Sequence, residues 1–288
     1  MIFEIRKLSD RMCQSHRRGS SLILLFDYDG TLTPIVEQPS LAVLDRHTRQ
    51  LLANLVERPR VHVGILSSRE LADLQPLVAI PGLYMAGNGG LELDLQGLRI
   101  VHPYAARFAR LVRRVADRLQ PSVDRFPGAW IERKRLGLTV HFRRTPNTFH
   151  DPLHQGIVDA ACEFPGEIRV ARGPKAWELF PAKGWDKGMA IRLILADIGA
   201  DHDILLYAGD GENDRAAMTE VAAMGGITVG VGLDAPQNTA WSLPNPMAVR
   251  TLLECLDASL EPRTERAAWP STKGPRRIRS EGKNAAIP

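Results

Sequence analysis

Five consecutive apolar residues at 22–26 run directly into Asp27-Tyr28-Asp29-Gly30-Thr31. A continuous apolar run of this length, ended by Asp and Gly, predicts a buried parallel strand with its loop at the carboxyl edge of a sheet. Comparable runs at 61–66, 83–86, 203–208 and 227–231 predict further strands of the same kind. Between and after them, apolar residues recur at helical spacing over 45–57, 71–78, 187–198, 215–221 and 247–256, with Pro76 expected to interrupt the second of these. Strand and helix in alternation predict an α/β fold, a doubly wound parallel sheet of Rossmann-like type.

The middle of the chain has a different texture. Residues 91–101 alternate like a hairpin around Gln96-Gly97, and 104–120 form an amphipathic pattern. There Phe108, Leu111, Val112, Val115 and Leu119 face one way and Arg107, Arg110, Arg114 and Arg118 the other. Strands are expected at 129–134, 138–143, 167–171 and 176–180, with a helix at 151–163. Helices grouped with hairpin strands suggest an α+β module inserted into the parallel-sheet domain. The expected organisation is a discontinuous core of residues 1–101 and 182–261, an inserted cap of 102–181, and a tail of 262–288.

Composition narrows the class. The chain has 288 residues, 44% apolar and 24% charged, as in ordinary soluble proteins, and no apolar run approaches a membrane span. The first twenty residues mix charge throughout and lack the apolar centre of a signal peptide. Three scattered cysteines, Cys13, Cys162 and Cys255, read as free thiols in a reducing compartment, so the cytoplasm is the expected location. The net charge of +4 is misleading, because residues 262–288 carry seven Lys or Arg against two Glu. The remaining body is nearly neutral. The tail is expected to be disordered and solvated, and it alone offers anything to nucleic acid, so neither nucleic acid nor a membrane is an expected partner.

Four of the apolar strands end in polar clusters: Asp27 and Asp29, Ser67, Asn88, and Asp210, Asn213 and Asp214. Parallel strands put their carboxyl ends on one edge, and Lys187, opening a helix, can point there too. Carboxylates gathered in this way need a cation among them, and oxygen ligands of this hardness suit Mg²⁺. Asp27 is placed as a nucleophile toward phosphorus, and Asp29 as the acid and base for the leaving alkoxide and the attacking water. Mg²⁺, Lys187 and Ser67 would stabilise the transferring phosphoryl group, and Asp27, Asp29, Asp210 and Asp214 would supply the metal ligands. Several readings stay open at this point. Ser68 competes with Ser67, Arg69 can touch phosphate or cap a helix, and Asp214 can ligate metal, cap a helix or anchor Lys187.

In this order, the aspartate pair after a strand, the serine, the later lysine and the closing acidic loop resemble the motifs of the haloacid dehalogenase superfamily. The second aspartate points to its phosphatase branch. Within it, Thr33-Pro34-Ile35, Ser67-Ser68-Arg69, the segment 128–134 and His141-Phe142-Arg143 resemble the trehalose-6-phosphate phosphatases. So does Lys175-Ala-Trp-Glu-Leu-Phe-Pro followed by Asp186-Lys187-Gly188. That resemblance implies a phosphorylated sugar as substrate, a cap that closes over the core, and Glu132, Lys134, Lys175 and Glu178 as cap residues binding glucosyl hydroxyls. Arg69 and Asn88 would join them around the substrate, with Asn213 in support, and His141 and Trp177 read as packing. As a surface feature, Glu132 and Lys134 would be a cross-strand pair. One loop departs from the family pattern: Gly209-Asp210-Gly211-Glu212-Asn213-Asp214 replaces the usual Gly-Asp-Asp-x-Thr-Asp-Glu-Asp. That leaves glycosyl-3-phosphoglycerates, sucrose 6-phosphate and hexose phosphates as alternative substrates, and a non-catalytic sugar-phosphate sensor as an alternative class.

Overall fold

The computed structural model describes residues 2–173, 175–199 and 204–260. In chain order, helix α1 (Ile2–Arg17) leads into strand β1 (Leu22–Phe26), then α2 (Arg46–Val56), β2 (Val61–Leu66), α3 (Leu71–Val78) and β3 (Tyr84–Gly87). A hairpin of β4 (Glu92–Leu95) and β5 (Leu98–Val101) closes this half. The middle comprises α4 (Ala105–Val123), β6 (Trp130–Arg133), β7 (Leu138–His141), α5 (His150–Cys162), β8 (Ile168–Gly173) and β9 (Ala176–Pro181). Then come α6 (Lys187–Ile198), β10 (Ile204–Gly209), α7 (Arg215–Ala223), β11 (Ile227–Val231), β12 (Trp241–Leu243) and α8 (Pro246–Ser259).

The larger sheet runs β12-β11-β10-β1-β2-β3-β4-β5, parallel from β12 to β3 and antiparallel beyond. All five side chains of β1 are buried, and they alternate between the two faces as a strand requires. Leu22, Leu24 and Phe26 pack with residues of α1, α2, α3 and α8, while Ile23 and Leu25 pack with α6 and α7. From β1 the chain steps one way to β2 and β3, and after the insertion it resumes on the other side at β10. The strand order therefore reverses between β1 and β10, and crevices at such points are where α/β sheets bind ligands.

The insertion forms its own antiparallel sheet, β6-β7-β9-β8. One face, with Leu138, Val140 and Leu179, packs on Leu111, Val115 and Leu119 of α4 and Leu153 and Ile157 of α5. The other face is turned away from the helices. Leu91, Phe108, Leu136 and Phe180 make a small apolar cluster where the insertion meets the larger sheet.

Two elements were not expected. Helix α1 buries Ile5, Leu8, Met12 and Cys13, a stripe at helical spacing hidden among charges in every turn. Strand β12 has three residues, too few for a periodic signal. Pro76 does not interrupt α3: it removes one hydrogen bond near the end, and the helix stops at Ala79, whose φ is 50°. The basic tail lies outside the described residues. Among those described, no helix is long and apolar enough to cross a membrane.

Asp45 opens α2, its carboxylate accepting from the backbone N–H of His47 and Thr48, both at 3.0 Å. Desolvation would raise its pKa, but the Thr48 and His47 donors outweigh that and hold it below the usual range. A depressed folded pKa means the cap's contribution is present above the unfolded carboxylate pKa and lost as pH falls through the folded one. Asp45→Ala should cost about 1 kcal/mol at neutral pH, with the deficit vanishing in acid, as denaturant melts at pH 7 and pH 3 would record.

Candidate active site

Asp27 follows β1 and Asp210 follows β10, so the reversal of strand order brings them together. The Asp27 N–H donates to Ala208 O at 2.8 Å, which ties the two strand ends. Gly30 has φ +86°, and a Cβ there would run into the Asp210 carboxylate. Only glycine leaves room for that side chain. Oxygens of Asp27, Asp210 and Asp214 lie within 4.8 Å of one another, and all three residues are buried.

Lys187, the first residue of α6 and 1% exposed, donates through Nζ to Asp27 Oδ1 and to Asp214 Oδ1, the latter at 2.7 Å. Asp186 just before it caps the helix by accepting from Met189 N at 2.9 Å. Asp214 has three more donors: Tyr207 Oη at 2.5 Å, and the N–H groups of Asp210 and Gly211 at 3.0 and 3.1 Å. Of the open readings of Asp214, its contacts make two: it anchors Lys187, and by accepting from the Gly211 N–H it caps the turn leading into α7.

Burial and the Asp214 charge push Asp27 well above the usual carboxylate range, against the pull of Lys187. Asp210, buried beside Asp27 and Asp214, is pushed up to about 9. Lys187 is raised as well, because its two carboxylate partners outweigh the burial that would lower it. With all three carboxylates ionised, one ammonium would leave two negative charges in excess in a water-poor place, which is why Asp27 and Asp210 resist ionisation on their own. An excess of two is the charge of one divalent cation, and hard oxygen donors fit Mg²⁺. The donor set therefore fits the metal expected from the sequence.

Asp29, expected among the metal ligands, is not brought into this cluster. It forms a two-pronged pair with Arg69, Nε to Oδ2 and Nη2 to Oδ1, both at 2.7 Å. Arg69 also donates to Pro39 O at 2.7 Å and lies over the Tyr28 ring. Ser67 Oγ is buried and accepts from the Arg69 N–H at 3.1 Å. Asn88, 0% exposed with φ 49°, has no hydrogen-bond partner for either end of its side chain among the described residues. A buried amide left so is costly, by about 1–3 kcal/mol, until something pairs with it.

A cleft of about 910 Å³ separates the larger sheet from the inserted one. Asp29, Ser68 and Arg69 line it from one side, and Glu132, Lys134, Lys175 and Glu178 from the other. The insertion is shut on the core by polar contacts. Ser68 Oγ donates to Glu178 Oε2 at 2.8 Å, and Asn213 Nδ2 reaches Ser68 Oγ at 3.1 Å and Glu178 Oε2 at 3.2 Å. Lys134 Nζ donates to Ser68 O at 3.1 Å, and Arg135 pairs with Glu92. Glu132 is bonded to His141 Nε2 at 2.7 Å. Burial would raise Glu132, but His141, Lys134 and Arg69 outweigh it and leave it below its usual range.

The family model described as trehalose-phosphatase matches residues 25–239, three quarters of the chain. This chain belongs to the trehalose-phosphatase family. Its membership makes it a phosphomonoester hydrolase, and the resemblance drawn from the motifs holds. A trehalose-phosphate phosphatase of Mycobacterium tuberculosis is 34% identical over 209 residues, 70% of this chain and 52% of that relative. Trehalose-phosphate phosphatase B of Arabidopsis thaliana is 26% identical over 254 residues, 83% of this chain and 67% of that one. The solved C-terminal domain of the C. albicans trehalose-6-phosphate phosphatase superposes with a TM-score of 0.78 at 21% identity, covering 87% of this chain and 96% of that domain. At that identity the likeness shows the fold: an α/β core with an inserted α+β cap.

Within this trehalose-phosphatase fold, sequence reasoning missed Tyr207, Thr139 and Trp130 and set His141 aside as packing. Tyr207 sits in an apolar run and reads as core filler; only its position three residues before Asp210 hints that its hydroxyl reaches the acidic loop. Thr139, Trp130 and His141 become visible as cleft residues only through the register of the cap sheet. Asn213, where this chain departs from the family pattern, holds the cap residue Glu178.

Proposed function

We propose that this phosphatase hydrolyses trehalose 6-phosphate to trehalose and phosphate through an aspartyl-phosphate on Asp27. The observation carrying this reading is the buried set of Asp27, Lys187, Asp210 and Asp214, with Asp29, two residues on from Asp27, lining a cleft that also bears Glu132, Lys134, Lys175 and Glu178. Residues 1–101 and 182–261 are the catalytic core in this assignment, and 102–181 the cap.

An oxygen of Asp27 attacks phosphorus, and the bond from phosphorus to the sugar oxygen breaks. Asp29 gives its proton to the leaving alkoxide, then takes one from the water that attacks the aspartyl-phosphate, returning free Asp27 and phosphate. For this, Asp29 has to leave Arg69, whose guanidinium is then free for a phosphoryl oxygen. Lys187 holds Asp27 in place and offers positive charge to the transferring group, with the Ser67 hydroxyl beside it. Asp27, Asp210 and Asp214 would hold Mg²⁺, which would supply positive charge to offset the charge of the transferring phosphoryl group. Asn88, buried without a partner, is suited to pair with the substrate. Sugar hydroxyls would meet Glu132, Lys134, Lys175 and Glu178, and such sites discriminate because a missing hydroxyl leaves a buried group unpaired. Free, scattered cysteines support a reducing compartment, the cytoplasm.

The test is phosphate release from trehalose 6-phosphate, sucrose 6-phosphate, glucosyl-3-phosphoglycerate and glucose 6-phosphate. The expected result is a kcat/KM for trehalose 6-phosphate at least about tenfold above the others; equal turnover on all four would sink the assignment. Chelation should remove activity and added Mg²⁺ restore it, as the same assay would show.

A further inference from the structure

The β6–β7 turn of the insertion is bound to the core at each of its apex residues. Lys134 N donates to Gly137 O at 3.0 Å, closing a tight hairpin turn with Arg135 and Leu136 at the tip. Leu136 is fully buried, packed with Leu91 of the core and with Phe108 and Phe180 of the insertion. The Arg135 N–H donates to Glu70 Oε1 at 2.7 Å, and the Arg135 guanidinium pairs with Glu92. Glu92 opens β4 and also accepts, at 3.4 Å, from the N–H of Leu71, the first residue of α3. With Lys134 on Ser68 O, the turn grips the segment that carries Arg69 and directly follows Ser67. Glu132 lies on β6 just before it.

Charge follows the same division. Residues 102–181 carry fourteen Lys or Arg against eight Asp or Glu, a net of +6, while 1–101 with 182–261 carry sixteen against twenty-three, a net of −7. Bodies of opposite charge attract, and salt weakens the attraction over a Debye length of about 8 Å at physiological ionic strength. The ion pairs that cross between them among the described residues keep to this polarity: Arg135 with Glu92 and Arg144 with Glu37 both place the base on the insertion. The two pairs are not equal. Arg144 and Glu37 are exposed, so their pair contributes little. The Glu92 side chain is only 7% exposed, and a carboxylate held away from water needs its counter-charge. Opening the cleft trades Arg135 for water at Glu92, so the pair shifts the ratio of closed to open by about fivefold and not by orders of magnitude.

We propose that Arg135 and Glu92 form an electrostatic latch that positions one side of the cleft against the other, so that ionic strength sets how often the site is assembled. With the pair made, β6 holds Glu132 and Lys134 against the segment of Ser67, Ser68 and Arg69. With it broken, a substrate meets only one side of the site at a time. Neither Arg135 nor Glu92 lines the cleft, so both are positioning residues that act through the groups they hold. The kinetic consequence rests on the phosphatase reading given above; the opening itself does not.

The experiment compares the full chain with Arg135→Ala, Glu92→Gln and the double variant, each at low and high NaCl. Small-angle scattering of the unliganded wild type should show a compact particle at low salt that expands as salt rises. Arg135→Ala should be expanded at both. On trehalose 6-phosphate at low salt, Arg135→Ala should raise KM about fivefold and leave kcat no lower. Glu92→Gln should raise it less, since the amide keeps an acceptor for Arg135. The double variant should be no worse than Arg135→Ala, because the two residues act through one contact. Arg135 is half exposed, so its variant should melt like the wild type, which separates positioning from folding. Identical scattering of wild type and Arg135→Ala at low salt overturns the latch, whatever the substrate. So do KM effects that add in the double variant, or a loss confined to kcat. Scattering as expected from a wild type that does not turn over trehalose 6-phosphate supports the latch and overturns the substrate reading.

Discussion

Asp27→Asn should lower phosphate release by roughly 10⁴-fold or more, the scale on which covalent hydrolases lose rate when their nucleophile is removed. The amide has the volume of the carboxylate and keeps an oxygen for Lys187, so nothing in the packing has to move. It has no charged oxygen with which to attack phosphorus. Stability should not suffer. Burial and Asp214 already push Asp27 away from ionisation, so its charged form is held there only at a cost that Lys187 offsets in part. Removing it relieves that cost, and in chelator the variant should melt at or above the wild-type temperature. Phosphate release measures the first effect and a thermal scan the second. Residual turnover above about one per cent would sink Asp27 as nucleophile. Intact-mass measurement after brief mixing with substrate adds an independent check: a phosphoryl adduct on wild type and none on the variant.

The parts of this site that were legible in the sequence are those fixed by where elements begin and end. Asp27 and Asp210 each terminate an apolar run, Lys187 begins a helix, and a parallel sheet has only one carboxyl edge on which they can meet. The pairing of side chains was not legible. That Asp29 meets Arg69 and not the other carboxylates follows from the path of the loop after β1. That Glu178 meets Ser68 and Asn213 follows from how the cap sits on the core. No periodicity carries that information. The same limit applied to the fold: β1 announced itself because all five of its residues are buried. Helix α1 did not, because Ile5, Leu8, Met12 and Cys13 are spaced among residues charged enough to read as solvated surface. The cap shows the limit most clearly. Trp130 and His141 are eleven positions apart, and only the β6–β7 register makes them one surface.

Lys187 should be the residue whose loss is felt in both stability and rate. It is 1% exposed and lies between Asp27 and Asp214, so Lys187→Met replaces an ammonium by an apolar group of similar length. Asp214 keeps the Tyr207 hydroxyl and two backbone N–H groups, but Asp27 loses its counter-charge. Breaking a buried ion pair from one side costs about 3–5 kcal/mol, since the remaining charge stays where water cannot reach it. The melting temperature should fall on the order of 10 °C. Turnover should fall about 10³-fold, because the positive charge that steadies both the nucleophile and the transferring phosphoryl group is gone. Arginine should not rescue it: the guanidinium is planar and larger than the ammonium, and the side chain is fully buried between two carboxylates. Added Mg²⁺ should recover more stability in Lys187→Met than in wild type, because among the described residues Lys187 is the cation paired with Asp27 and Asp214. A variant that melts like wild type in chelator, or gains no more from Mg²⁺ than wild type does, would show that the cluster's charge is balanced by something other than Lys187.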